Sequence, residues 1–244
     1  MKQLVLPIIV FAGLAFVFSW VINQYVPPFT WLTIDGKEVL TGCGPALSGL
    51  VCYRLFGIPN TFNLSLAGSK PLVVFGITFL SLFVPVLLSK QPTTLTFVGL
   101  IAAQFAYTLG EEFGWRHYLQ NAVAPFTKWQ QALIIGTIWF FWHYAILPDP
   151  TTMLTGKPVP FYIGIPLFVG LLTLFSKLAS DIVVRTQAVL LPTVLHYIGK
   201  VSNSYTLLTI YILVLATYLM WHKIGAKRLS PNRTMVYRYS GAPY

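Results

Sequence analysis

A chain of 244 residues that is 56% hydrophobic and only 9% charged, with a mean hydropathy of +0.70, is not a soluble domain, which carries about 25% charged residues. The net charge of +10 does not point to nucleic acid, because the basic residues are scattered between apolar runs, the pattern of topology signals and lipid headgroup contacts. Barrel strands are excluded too, since they give a far weaker, alternating hydropathy signal than these long runs.

The expected fold is all-α: a polytopic membrane bundle of about eight transmembrane helices. One domain covers 1–222, and a basic tail covers 223–244. The first span runs over 4–26. It resembles a signal peptide, but its apolar run is too long and no A-x-A-like site closes it, so it reads as retained. A loop with Pro27, Pro28, Trp31 and Asp35 follows over 27–41. The second span, 42–56, is short and rich in Gly42, Gly44, Ala46, Ser48 and Gly49, a density of small residues that lets helices approach closely. Cys43 and Cys52 share this segment, form no metal-binding spacing, and read as packing residues. A polar loop over 57–70 has turn signals at Asn60 and Ser65.

The third span starts at Pro71, a favoured first helical residue, and runs to 88. The fourth covers 94–119. A short connector at 120–128 is expected to lie in the interface. The fifth span is 129–147, stopped by Pro148-Asp149-Pro150, and the sixth is 161–179. A polar loop with Asp181 and Arg185 fills 180–187. The seventh span, 188–201, is short for a hydrocarbon core of roughly 30 Å, and the eighth is 204–221. With eight spans both termini share a side. That side holds eleven cations, five of them in the tail, against Lys37, Lys90, Lys157 and Lys200 on the other, with Arg116 left out. The positive-inside rule then puts both termini in the cytoplasm, with the protein in the cell membrane.

The fourth span carries the run Gly110-Glu111-Glu112-Phe113-Gly114-Trp115-Arg116-His117. Only six Asp and Glu occur in the chain, and the other four, Asp35, Glu38, Asp149 and Asp181, fall in predicted loops. Two acids inside an apolar segment are costly and mark function. On a helix they point about 100° apart. Arg116 stands four residues after Glu112, the spacing of a facing ion pair, so its fork holds Glu112 and Glu111 faces another sector. Gln104 and Thr108 extend the polar stripe along the same helix. His143 and His196 each sit in an apolar span. His143 comes out nearer 20 Å from the cytoplasmic face, against about 12 Å for Glu111 and His196, a mismatch that a tilted fifth helix would absorb.

Glu-Glu-x-x-x-Arg at 111–116, aromatic-x-x-x-His at 139–143 and a further His in a late span resemble the CPBP family. That family comprises the type II CAAX prenyl endopeptidases, the prokaryotic Abi proteins and bacteriocin-processing relatives. The motif core spans 94–203. There are two departures. Position 139 is Trp where the family usually has Phe, and His196 is followed four residues on by Lys200 where the family has Asn or Asp. Asn203 stands nearly on the same face, about 10 Å along the axis.

The resemblance implies intramembrane proteolysis of a peptide or protein substrate within the lipid bilayer, prenylated or bacteriocin-like. Amide hydrolysis needs an activated water, oxyanion stabilisation and a proton donor for the leaving amine. Glu111 is the expected general base, His143 orients the water or donates a proton, and His196 is an oxyanion donor with Lys200 or Asn203. Glu112 and Arg116 form the supporting pair. The cofactor is left open: none, or Zn²⁺ held by Glu111, His143 and His196. Two other readings stand beside it. In one, the acids and histidines form a proton or ion path through a transporter. In the other, the chain is a non-proteolytic scaffold or immunity protein in which Lys200 silences Glu111.

Overall fold

The computed structural model describes residues 2–31, 34–88, 95–157, 159–201 and 204–221. Within them, the side chains of 2–4, 31, 84–88, 95–96, 154–155, 198–201 and 204–211 lie outside the described ones, and so does the predicted tail. The described residues are mostly helical, with one two-residue antiparallel ladder. Helices occupy all eight expected spans. By length and apolarity, two of the described helices are able to cross a membrane, α1 (Lys2–Tyr25) and α9 (Phe161–Thr186), or three if a bent pair is taken as one span.

That bent pair corrects the expected loop at 27–41. Strands β1 (Thr30–Trp31) and β2 (Ile34–Asp35) lead directly into helix α2 (Gly36–Gly42). Asp35 caps it: its Oδ1 accepts the Glu38 backbone N–H at 2.9 Å. Asp followed three residues later by Glu is a helix-start signature, so Glu38 lies on a helix and not in a loop. A 41° bend at Cys43 then gives α3 (Gly44–Phe56). The small residues of α3 are used as expected. A Cβ on Gly49 would sit 3.0 Å from the Tyr118 side chain, and one on Gly44 would strike Ser19 of α1.

The loop after α3 is clipped to the other half of the bundle. Asn60 closes its turn by bonding both the N–H and the carbonyl of Leu64 at 2.8 Å. Ser65 forms an isolated parallel bridge with Ala188. Helix α4 (Pro71–Leu88) begins at its proline as predicted. Helix α5 (Leu95–Glu112) runs on through a π-helical segment, Phe113–Leu119, into the short α6 (Gln120–Ala122). Gln120, Asn121, Ala122 and Val123 are buried, so the expected interfacial connector is a packed extension of this helix.

A capping box between Thr127 and Gln130 starts α7 (Lys128–Trp142), which ends in a 3₁₀ turn, His143–Ala145. After α8 (Thr152–Thr155), α9 continues to Thr186 through the predicted loop at 180–187. No Gly or Pro falls between Gly170 and Gln187 to stop it, and the Lys177–Asp181 ion pair spans one of its turns. It ends where Gln187 turns left-handed, φ 61°. Helices α10 (Leu190–Val201) and α11 (Ser204–Met220) close the described chain.

Two apolar clusters flank the middle of the bundle. One gathers Phe11, Trp115, Tyr118, Trp139, Phe140 and Trp142. The other joins α4, α10 and α11 through Val74, Ile77, Leu191, Val194, Tyr197 and Val214. Phe175 of α9 packs against both, and the polar residues of α5 lie along this seam.

Candidate active site

The Glu pair closes the regular part of α5, and the π-helical turn begins at the next residue. A π segment is rare and recurs at functional sites. It is held here by close backbone approach: a Cβ on Gly114 would lie 2.5 Å from Pro45 of α3, and one on Gly110 would lie 2.7 Å from the Gly42 carbonyl. Both acids and the arginine are withdrawn from solvent, at 1%, 0% and 0% exposure for Glu111, Glu112 and Arg116.

Glu112 has both oxygens occupied. Oε2 accepts from Arg116 Nε at 2.8 Å, and Oε1 lies 3.0 Å from His196 Nδ1. Arg116 also donates from Nη2 to Ser176 Oγ at 3.4 Å. Its Nη1 is buried and has no acceptor among the described residues. Glu111 is held by a different group, with the Trp139 indole N–H donating to Oε2 at 2.8 Å. The two acids are therefore split as their 100° separation requires, but His196 is paired with Glu112.

Trp139 links the remaining parts. Its ring centroid is 5.0 Å from that of His196 and 6.2 Å from that of His143, and the Arg116 guanidinium lies 5.6 Å from it. The His143 ring lies one turn further along the chain, with Nδ1 2.8 Å from the Trp139 carbonyl. A carbonyl only accepts, so Nδ1 carries the hydrogen, and in the neutral ring Nε2 keeps the lone pair. Trp139 thus contacts both His143 and Glu111. Its indole N–H contributes a donor that Phe at this position lacks.

Of the predicted residues, Glu111, Glu112, Arg116, His143 and His196 come together around Trp139. Lys200 lies on α10 one turn after His196 with its side chain outside the described residues, and Asn203 lies outside them altogether. Gln104 does not extend the stripe toward Glu111. It donates to Glu38 of α2 at 2.6 Å, and Thr108 bonds back to its own helix. His117 is a structural tie, set between the Tyr53 hydroxyl at 2.9 Å and the Leu64 carbonyl at 3.2 Å. Ser176 and Trp139 were not among the predicted site residues. Ser176 gave a weak signal, one polar residue in an apolar helix. The indole of Trp139 gave a stronger one, since a buried Trp N–H needs an acceptor.

Among the described residues no three His, Cys, Asp or Glu side chains come together so as to hold an ion. His196 presents Nδ1 to a carboxylate that is already paired with Arg116.

No match to the chain was found among curated proteins. Residues 92–202, which contain the Glu pair, Arg116, Trp139 and both histidines, match the family model described as Rce1-like, type II CAAX prenyl endopeptidase Rce1-like.

Proposed function

We propose that this integral membrane protein is an intramembrane endopeptidase of the CAAX type that hydrolyses a peptide bond with a glutamate-activated water and no metal. The observation that carries this reading is the division of labour in the Glu pair. Glu112 is saturated by Arg116 and His196, which leaves proton abstraction to Glu111, held in place by Trp139. His143 Nε2, the lone-pair nitrogen of the neutral ring, orients the attacking water. His196, oriented by its Nδ1 contact with the Glu112 carboxylate, stabilises the oxyanion. Arg116 Nη1, a buried donor with no acceptor among the described residues, adds a second donor for that charge, and charge-assisted hydrogen bonds of this kind are the strong ones. Lys200, where the family's third motif has Asn or Asp, stands one helical turn after His196.

In this reading the eight helical segments all cross the membrane, both termini are cytoplasmic, and the cut lies in the cytoplasmic half. The substrate is a peptide or protein within the bilayer. A C-terminally prenylated peptide is the first to try. The test is cleavage of a labelled peptide by the purified protein in liposomes. Wild type is expected to cut it and Glu111→Ala to abolish the cut while still inserting. Full activity of Glu111→Ala overturns the mechanism. Absence of cleavage by wild type, together with a proton flux that Glu111→Gln removes, overturns the enzyme reading in favour of transport.

A further inference from the structure

Lys177, Ser180, Asp181, Val184 and Arg185 are spaced by three and four residues, which places them on one face of α9. That face lines a cavity of about 410 Å³, whose other walls include Gln120, Lys128 and Tyr218. Asp181 is already shared by two lysines: Lys177 one turn before it, and Lys128 at 3.8 Å. Arg185 is left over. Its guanidinium lies 4.5 Å from the centre of the Tyr218 ring, and its Nε is buried with no acceptor among the described residues.

The chain has no spare carboxylate for Arg185. Of its six Asp and Glu, Asp35 caps α2, Glu38 accepts from Gln104, and Glu111 accepts from Trp139. Glu112 takes Arg116 and His196, Asp149 accepts from Thr151, and Asp181 has its lysines. A buried cationic N–H without an acceptor is expensive, and an anion entering the cavity from outside would satisfy it.

The position of the cavity identifies the source. At 1.5 Å per residue, the 26 residues of α9 extend for about 39 Å, longer than a hydrocarbon core of about 30 Å. Exposed Phe161 and Tyr162 mark its beginning. Exposed Trp129, with Lys177 Nζ 5.6 Å from its ring, marks the far end. Aromatic residues with flanking cations are the mark of a membrane interface, so the last turns of α9 stand in the headgroup layer.

We propose that this cavity binds the phosphate of an anionic phospholipid. Arg185 and Lys128 hold the headgroup, and Tyr218 and Val184 supply the apolar wall beside it. The site also abuts the scaffold of the Glu–Arg–His cluster. Ser180 donates to Gln120 Oε1 at 2.5 Å, and Gln120 donates on to Gln131 at 2.7 Å. Gln120 stands one turn beyond Arg116, and Ser176, which Arg116 contacts, stands one turn before Ser180.

The test uses the purified full chain, stripped of lipid in a neutral detergent. Native mass spectrometry and thermal unfolding are read with added phosphatidylglycerol, phosphatidylcholine or inorganic phosphate. Wild type is expected to retain phosphatidylglycerol in preference to phosphatidylcholine and to unfold several degrees higher with it. Inorganic phosphate is expected to have no effect. Arg185→Gln weakens phosphatidylglycerol binding by about tenfold, or 1.4 kcal/mol, and Arg185→Lys keeps most of it. Should Arg185→Gln fail to fold, Lys128→Gln, at a largely exposed side chain, is read for the same weakening. Unchanged binding in the glutamine variants overturns the site. Equal retention of the two lipids overturns its anion preference, and a shift reproduced by inorganic phosphate overturns the lipid as its occupant.

Discussion

His196 is paired with Glu112: its Nδ1 lies 3.0 Å from Glu112 Oε1, while Arg116 Nε holds the other oxygen at 2.8 Å. One buried carboxylate thus joins α5, the π-helical segment and α10. Two cations or potential cations face one buried anion, where the pair is strong only while it is complete. Glu111, its neighbour in sequence, is held instead by a neutral indole N–H on α7.

The two acids should therefore fail differently. Glu112→Gln leaves the Arg116 charge buried without its counter-ion and is expected to cost about 3–5 kcal/mol of stability. Glu111→Gln exchanges one group for another of the same shape and should unfold close to wild type while losing cleavage. Thermal unfolding and peptide cleavage measured on the two variants check this. The larger loss of stability in Glu111→Gln would reverse the assignment of roles.

Arg116 offers a sharper check. Arg116→Met alone strands Glu112 with only His196 and should cost about 3–5 kcal/mol. The double variant Glu112→Leu/Arg116→Met replaces the pair by apolar residues of similar size. Buried pairs exchanged in this way often return neutral or more stable. A double-mutant cycle of unfolding should show most of the lost stability recovered while cleavage stays lost. If the double variant is no more stable than the sum of the single ones, the pair does not carry the coupling assigned to it.

How far this could be read beforehand depended on the kind of signal. Long apolar runs bounded by proline or polar residues located α1, α4 and α11 closely, because burial in lipid and burial in protein ask for the same composition. Polarity misled at α9, where Ser180, Asp181 and Arg185 read as a loop but line a cavity from a continuous helix. At α2 the capping pattern Asp35–Glu38 was present but was outweighed by the Pro27-Pro28 turn signals. The Glu112–Arg116 pair followed from spacing within one helix. The partner of His196 did not, because it depends on how α10 is rotated against α5, a packing outcome that no spacing encodes. Trp139 is legible as a departure from the usual Phe, but that its N–H reaches Glu111 depends on how α7 packs against α5.

Removal of metal should leave activity unchanged. The described His, Cys, Asp and Glu residues form no three-ligand group, and His196 is engaged by Glu112. Cleavage by protein treated with EDTA or 1,10-phenanthroline and then desalted is expected to match the untreated enzyme. Loss of cleavage that added Zn²⁺ restores would overturn the metal-free mechanism.

The π-helical segment should be sensitive to a single methyl group. Gly114→Ala places a Cβ 2.5 Å from the Pro45 carbonyl carbon and Cβ. Neither can move without shifting α3, because Pro45 lies in its first turn. Overpacking of this kind costs about 1–3 kcal/mol, and the displaced turn carries Arg116 away from Glu112, so cleavage should fall with stability. Gly170→Ala is the control: it lies on an exposed face of α9 with nothing within 4 Å of the new Cβ. Alanine is favoured over glycine in a helix by about 0.5–1 kcal/mol, so this variant should be slightly stabilised with cleavage intact. Unfolding midpoints and cleavage rates of the two variants decide the matter. A Gly114→Ala protein as stable and active as wild type would show that the close approach of α3 does not hold the segment that positions Arg116.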